Sequence, residues 1–519
     1  MKQNYSLKNL NFLSIAGIII LSASINFYVA NIGVFPLDTF LFFDTGYRIL
    51  LGDVPFKDYW VSTGPIIDYL QGLFFLIFGV NWFAYVLHST LLNVIVALFS
   101  LYLFNYFKTN FYIKNFFVIL ICLTAYPSSA VPSLDHHGMI ISFISLFTFI
   151  LAIKKDENKL WLILPFLLFI SFLSKQTPAG YFIILISIFF LIHLYFYFSL
   201  KRIFLVFISV LICLFILGLF LFLNDISFEH FVIQYLLYPQ SIASSRWDDF
   251  VHPIEFNRYF LRFKEIWIPI LILFFLLMSE FKNKNNYNIN NILIQLLLIF
   301  SGIIMIWHQI LSLNQKFIFL TVPFLFYFVV YFLSKIKLKN NLSTYIILGF
   351  CFFWAIDNLN KYTLKRKFMD LEKVNLQNYL DATLIDKKLN GLKWITSEFE
   401  VNPNNEINLI NKHKKELSQN LNTMLITHYQ FIAPLLNFRS HGINRAYDDV
   451  SSPRINSEYS TNYKIFINNH LKNKKIARIV IIGSLEDKII TEFLDKNCFK
   501  LNSEDNFYKE IILNVECFR

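Results

Sequence analysis

The sequence predicts a polytopic α-helical membrane protein of about eleven spanning helices with a C-terminal soluble α/β domain, and three observations predict it. Hydrophobic residues make up 56% of the 519, Phe alone accounts for 61, and the mean hydropathy is +0.51, well outside the composition of ordinary soluble domains. Apolar runs of about the 20 residues that a bilayer core demands recur along the first two thirds of the chain, and in lipid only helices satisfy the backbone of such runs. Past residue 357 the runs stop and Asn, Lys, Glu and Ser take over, which divides the chain into 1–357 and 358–519.

In order, the apolar runs are 11–31, 83–105, 113–128, 138–153, 160–174, 179–199, 203–223, 266–280, 290–308, 316–334 and 342–357. The first starts late and has no small-residue cleavage site, so it reads as a retained helix. Placing Lys2 and Lys8 in the cytoplasm puts Lys108, Lys114, Lys154, Lys155, Lys159, Lys201, Arg202, Lys282, Lys284, Lys335, Lys337 and Lys339 on the same side, as the excess of basic residues in cytoplasmic loops requires. The loops 31–82, 129–137, 224–265 and 309–315 then lie outside, with the C-terminal region. The expected location is the inner membrane of a bacterium.

The net charge of +11 is accounted for by those basic loops and a Lys-rich tail, so nucleic acid is not an expected partner. Cys122, Cys213 and Cys351 fall in predicted helices as packing residues. Cys498 and Cys517 lie in the tail, where a disulfide is permitted but not required. Strand-like runs at 422–429, 477–483 and 508–515 alternate with polar segments that suit helices, and no phosphate-binding glycine motif accompanies them. The loop 224–265 is aromatic and amphipathic, as a segment lying along a membrane surface would be. The segment 65–79 opens with a proline and is too short to span, so it reads as a surface or partly inserted helix.

Ionisable groups at a membrane boundary are costly unless hydrated or paired, so clusters of them mark function. The first outer loop carries Asp38, Asp44, Arg48, Asp53, Lys57 and Asp58. The third helix is followed by Asp135, His136 and His137, the fifth by Lys175 and Gln176, and the turn after the ninth holds His308, Gln309 and Lys316. Brought together, a carboxylate, imidazoles and a lysine suit attack of an acceptor hydroxyl or amine on an anomeric carbon whose leaving group is a lipid phosphate. The carboxylate takes the acceptor proton and the cations steady the departing phosphate.

The order Asp44-Thr-Gly-Tyr47, Gly52-Asp-Val-Pro55-Phe-Lys57-Asp58-Tyr59, Gly64-Pro65 and an apolar helix closing on Phe78-Gly79 resembles the first outer loop of the GT-C superfamily of membrane glycosyltransferases. That group includes the protein O-mannosyltransferases and the aminoarabinose transferase of lipid A. The run from Lys316 through Pro323 is similar to the pattern that opens a late helix there. The resemblance implies a polyprenyl-phosphate sugar donor, an inverting transfer to an envelope lipid, glycan or protein, and Asp44 as general base. The residues that would bind substrate or phosphate are Tyr47, Lys57, Asp58, Asp135, His136, His137, Lys175, Gln176, His308 and Lys316.

Two departures stand out. Phe43-Asp44 replaces the Asp-Glu pair of many relatives, and Ser62-Thr63-Gly64-Pro65 replaces Glu-Lys-Pro-Pro, removing a carboxylate that binds metal in some members. A divalent metal is not required, although Asp44, Asp135 and His136 or His137 have the chemistry to hold one. Two rival readings differ in class. A flippase or transporter for a lipid-linked sugar would concentrate charge in mid-helix. A polymerase or ligase acting on diphosphate-linked glycans would depend on Arg246, Arg258 and Arg262 in the long outer loop.

Overall fold

The computed structural model describes residues 2–250, 255–282, 288–312, 318–335, 342–417, 422–448 and 450–518. Each of the eleven apolar runs carries a helix among them. The helices used below are α1 Lys2–Ala30, α2 Leu41–Leu50, α3 Ile66–Phe78, α4 Trp82–Tyr106, α5 Phe111–Thr124, α6 Leu134–Lys155, α7 Asn158–Ser174, α8 Gln176–Phe196, α9 Leu200–Leu223, α10 Tyr238–Phe250, α11 Lys264–Lys282, α12 Ile289–Ser312, α13 Thr321–Leu333 and α14 Leu342–Asn358. Seven stretches of the described residues are long and apolar enough to cross a membrane, and four further apolar helices are shorter. The protein is a polytopic helical membrane protein.

Burial separates the helices by position. The most apolar 18 residues of α6 are all buried, so it is the central helix, whereas only 11% of those in α9 are buried, and α9 turns its Phe and Leu side chains outward. A helix apolar all round is buried in protein or faces lipid, and these two take the opposite solutions. Contacts sort the loops into two ends. At one, Lys154 bonds Asn291, Tyr106 bonds the Lys154 carbonyl and Arg202 grips Asp156 with two nitrogens. At the other, the loops expected outside meet one another and the C-terminal region: Gln176 bonds the Ser62 and Tyr235 carbonyls, Tyr238 bonds Val450 O, and Trp247 packs on Trp307.

The C-terminal region contains α15 Pro403–Leu417, α16 Ser460–Asn473 and strands β1 Thr423–Thr427, β2 Arg478–Ile482, β3 Phe499–Glu504 and β4 Tyr508–Leu513, in the sheet order β1-β2-β4-β3. The first pair is parallel and the other two are antiparallel. Alternate side chains serve two cores. Met424, Ile426, Ile479 and Ile481 pack with Tyr463 and Ile467 of α16, while Leu425, Val480 and Ile482 pack with Ile407 and Ile410 of α15. Burial on both faces is why the second strand reads as an unbroken apolar run. The α15 core continues without a break into Phe40, Phe42 and Phe43 of the first outer loop, where Phe40 stacks on Trp394 and meets Phe431 at 4.6 Å between ring centres. The tail and the loop therefore share a core.

Cys498 and Cys517 form a disulfide, tying the start of β3 to the chain end. Closing a loop of this size stabilises a fold by about 3 kcal/mol. Reduction is expected to lower the unfolding temperature of the detergent-solubilised protein by several degrees; identical unfolding curves with and without reductant would contradict this.

Candidate functional site

The floor of the site comes from the way α6 and α7 meet. Gly138, one turn into α6, lies so close to the following α7–α8 junction that a β-carbon there would sit 3.0 Å from the Lys175 β-carbon. Its carbonyl accepts from the hydroxyls of Ser142 and Ser171 at 2.7 and 3.0 Å, which clamps the two helices. This close approach lets the Lys175 ammonium pair with Asp135, in the first turn of α6. From α12, His308 brings Nε2 to 3.8 Å from the same carboxylate. Three of the groups singled out from the sequence thus converge.

A fourth group joins them from the first outer loop. Asp38, in the turn Pro36–Thr39, lies within electrostatic reach of Lys175, Asp135, Asp370 and Asp448. Its side chain is exposed and opens into a cavity of about 110 Å³ shared with Trp60, Ser62, Thr63, Arg445 and Asp448. The protein packed around that cavity, and then the neighbouring carboxylates, push the Asp38 carboxyl up to about 7. A carboxyl held near neutral pH is suited to taking up a proton there.

Gly64 fastens that loop over the floor. A β-carbon at this position would collide with the Leu173 carbonyl and come within 2.8 Å of Ser174 N, so the Gly-Pro pair seen in the sequence is a point of backbone contact beside Lys175. Gly64→Ala is expected to cost about 1–3 kcal/mol from overpacking and to displace the loop from the end of α7. A thermal unfolding curve equal to that of the parent would contradict this.

Asp44 occupies a different place. The sequence reading puts it in a loop beyond the first helix; it lies instead in the first turn of α2, 8% exposed, where Ser440 donates to its Oδ2 at 2.8 Å and Arg48 Nη1 is 3.9 Å away. Burial raises its carboxyl to about 6, against the pull of Arg48 and Ser440. Arg48 is itself fully buried. It donates to Asp53 Oδ2 at 2.8 Å, to Gly442 O at 2.6 Å and to Asp58 O at 3.2 Å, and lies 4.5 Å from the centre of the Tyr59 ring. The Gly52–Tyr59 motif builds this support: Gly52 takes a positive φ of 85°, and Asp58 accepts from Val54 N at 2.8 Å.

Several expected ligands for substrate are committed elsewhere. Asp58 binds Lys474 at 2.5 Å, and Lys57 turns outward to Asn224 O and Asp225. Tyr47 packs beside Asp44 and Arg439. Gln176 donates both amide hydrogens to the Ser62 and Tyr235 carbonyls, leaving no donor for a phosphate. His136 spans Ser128 and Ser133, while His137 contacts Tyr126 and His88, so the ring nitrogens of both are engaged within the protein. The proposed metal trio of Asp44, Asp135 and His137 is not brought together, and among the described residues no three His, Cys, Asp or Glu are grouped to hold a metal. Lys316 lies outside the described residues.

No protein-family model and no curated protein matches the sequence. Among solved structures, the chain is similar to ArnT from Cupriavidus metallidurans bound to undecaprenyl phosphate, with a TM-score of 0.47 and 9% identity over 97% of this chain and 98% of that one. It is also similar to the archaeal oligosaccharyltransferase AglB from Archaeoglobus fulgidus in complex with an inhibitory peptide and a dolichol-phosphate, with a TM-score of 0.47 and 11% identity over 90% of this chain and 69% of that one.

Arg445 and Asp448 were not among the residues singled out from sequence. Arg445, 4% exposed, pairs with Asp68 of α3, donates to Thr63 and, at 3.0 Å, to Gly64 O, and lies over the Phe42 ring. The polar run around Ile443–Asp448, between two strand-like segments, was the signal available. An apolar groove of about 210 Å³ runs between α7, α8 and α9, lined by Phe169, Phe172, Ile183, Phe190 and Leu214 among others. Its wall reaches Phe172, about 5 Å along the helix axis from Lys175.

Proposed function

We propose that this protein is an integral membrane glycosyltransferase that moves a sugar from a polyprenyl-phosphate donor to an acceptor of the cell envelope, with inversion at the anomeric carbon. The observation that carries the reading is the convergence of Asp135, Lys175 and His308, with Asp38 in electrostatic reach, at the end of α7, a helix that also lines an apolar groove. A polyprenyl chain lies in the groove between α7, α8 and α9, and its phosphate rises to the boundary at Lys175. The acceptor hydroxyl attacks the anomeric carbon as the bond from that carbon to the phosphate oxygen breaks. Asp38 takes the hydroxyl proton, and the Lys175 ammonium, held in place by Asp135, meets the charge growing on the phosphate. The protein sits in the inner membrane of a bacterium, with its N-terminus in the cytoplasm and residues 358–519 outside.

The family resemblance assigns the base to Asp44. Geometry favours Asp38, because a base must reach the proton it removes, and Asp44 is enclosed by Ser440 and Arg48 whereas Asp38 opens into the cavity. Asp44 then serves to seat α2 against the C-terminal region.

The reading is tested by measuring undecaprenyl phosphate binding to the purified protein and to Lys175→Ala. The expected result is binding that weakens at least about tenfold in the variant, as loss of a charge-assisted contact to phosphate implies. Equal affinity in both proteins would remove Lys175 from the donor site, and preference for a diphosphate lipid would favour the polymerase or ligase reading.

A further inference from the structure

We infer that Arg366, outside the site itself, is a positioning residue: its side chain brackets the loop that carries Asp38 against the loop that leads into Asp135, and so sets the spacing of the two carboxylates. The inference rests on the proposed sugar transfer and adds to it a residue that acts through others. Arg366 follows the π-helical turn Leu359–Leu364 that extends α14, and its side chain is 1% exposed. Its Nε donates to Ile32 O at 2.9 Å and its Nη1 to Ser128 O at 3.3 Å. One guanidinium thus spans two outer loops that are far apart in the sequence.

Both loops run directly into reacting groups. Ile32 precedes the turn Pro36–Thr39 that holds Asp38. The Ser128 hydroxyl bonds His136 Nε2 at 2.8 Å, and His136 is the neighbour of Asp135 in the first turn of α6. The residues after Arg366 repeat the bracket. Towards the first loop, Thr39 donates to Met369 Sδ at 3.7 Å, and Gly33, at a φ of 64°, leaves no room for a β-carbon beside Leu371. Towards the second, the Phe368 ring meets His136 edge-on at 5.9 Å.

A residue kept for packing alone would not need to be an arginine. A buried guanidinium is expensive unless a carboxylate pairs with it, and among the described residues none does; its side-chain hydrogen bonds go to carbonyl oxygens. Its φ of 48° is left-handed, a conformation that a residue other than glycine keeps only where its surroundings hold it. An apolar side chain would fill the space without the cost of the charge. What the arginine supplies is its planar fork, with N–H groups in fixed directions that the single ammonium of a lysine does not reproduce.

Arg366→Lys and Arg366→Met, compared with the parent in detergent by hydrogen exchange and by the pH dependence of transfer, test this. The expected result is faster amide exchange in 31–39 and 126–133 in both variants, with α15 and the four-stranded sheet unchanged. The kcat falls by about 10²-fold, what a misplacement of about 1 Å costs, while the KM for the donor stays the same. The midpoint of kcat/KM moves as well. Asp38 faces Asp448, Asp135, Asp370 and Lys175, with Arg445 on the same cavity; when the Asp135 and Asp370 carboxylates draw away, Asp38 ionises more easily and the midpoint drops below about 7. Arg366→Lys keeps the charge and the stem and carries the test if Arg366→Met does not fold. Unchanged exchange in both loops, or loosened loops with the parent's kcat and midpoint, would overturn the inference. The transfer reading fails separately: loops that loosen in the variants of a parent that moves no sugar from any polyprenyl phosphate sustain the bracket and sink the reaction.

Discussion

Asp38→Asn is expected to slow sugar transfer by about 10²–10⁴-fold, the usual contribution of a positioned general base, while undecaprenyl phosphate still binds. The amide keeps the size of the side chain and loses only its capacity to take a proton. In the parent protein, the Asp38 carboxyl stands at about 7 because of the protein packed around its cavity and its carboxylate neighbours. Below that pH it is protonated and cannot act as a base, so kcat/KM is expected to rise with pH through about 7 and then level off. The same profile with a shifted midpoint is expected when Asp448 is replaced, since removing a neighbouring negative charge makes the carboxyl easier to ionise and moves the midpoint down. A profile flat from pH 5 to 9 in the parent, or full activity in Asp38→Asn, would show that Asp38 is not the base.

Arg445→Met is expected to destabilise the protein by about 3–5 kcal/mol, because removing one member of a buried ion pair strands the other. Asp68 is fully buried, and besides Arg445 it has only the Thr45 hydroxyl at 2.7 Å among its described partners. The loss also releases the Thr63 and Gly64 contacts that hold the loop under the C-terminal region. Coupling Arg445→Met with Asp68→Leu should recover most of the lost stability, since an apolar pair can replace a buried ionic one at little cost. Thermal unfolding of the two single variants and the double variant in detergent measures this; a double variant no better than Arg445→Met alone would contradict it.

Much of this architecture is legible in the sequence because membrane helices are written locally. The apolar runs mark the helices, and Lys154, Arg202 and their neighbours mark the loops of one end. The three strand-like runs of the tail contain β1, β2 and β4. Asp135, Lys175 and His308 were legible as a group because each ends or begins an apolar run on the same side, where an uncompensated charge is costly.

The remainder depended on contacts between distant segments. Asp38 and Asp44 both sit in the first outer loop, and the motif pointed to Asp44. What separates them is Ser440 and Gly442, almost 400 residues away along the chain by the 396-residue span of the Ser440–Asp44 bond, which enclose Asp44 and Arg48 and leave Asp38 open. The same long-range closure hid Arg445 and Asp448, whose neighbours come from α3 and the first loop. His136 and His137 looked available because they are adjacent to an acid, yet their nitrogens are taken up by Ser128, Ser133, Tyr126 and His88, partners that no sequence spacing announces.

The most direct test uses proteoliposomes loaded with a polyprenyl monophosphate carrying a radiolabelled sugar, supplied with envelope extract as acceptor, for the parent protein, Asp38→Asn and Asp44→Asn. The account predicts that the parent moves label onto the acceptor and releases polyprenyl phosphate, that Asp38→Asn does not, and that correctly folded Asp44→Asn retains transfer. Intact labelled lipid crossing the membrane without cleavage of its sugar–phosphate bond would contradict the account and make the protein a transporter.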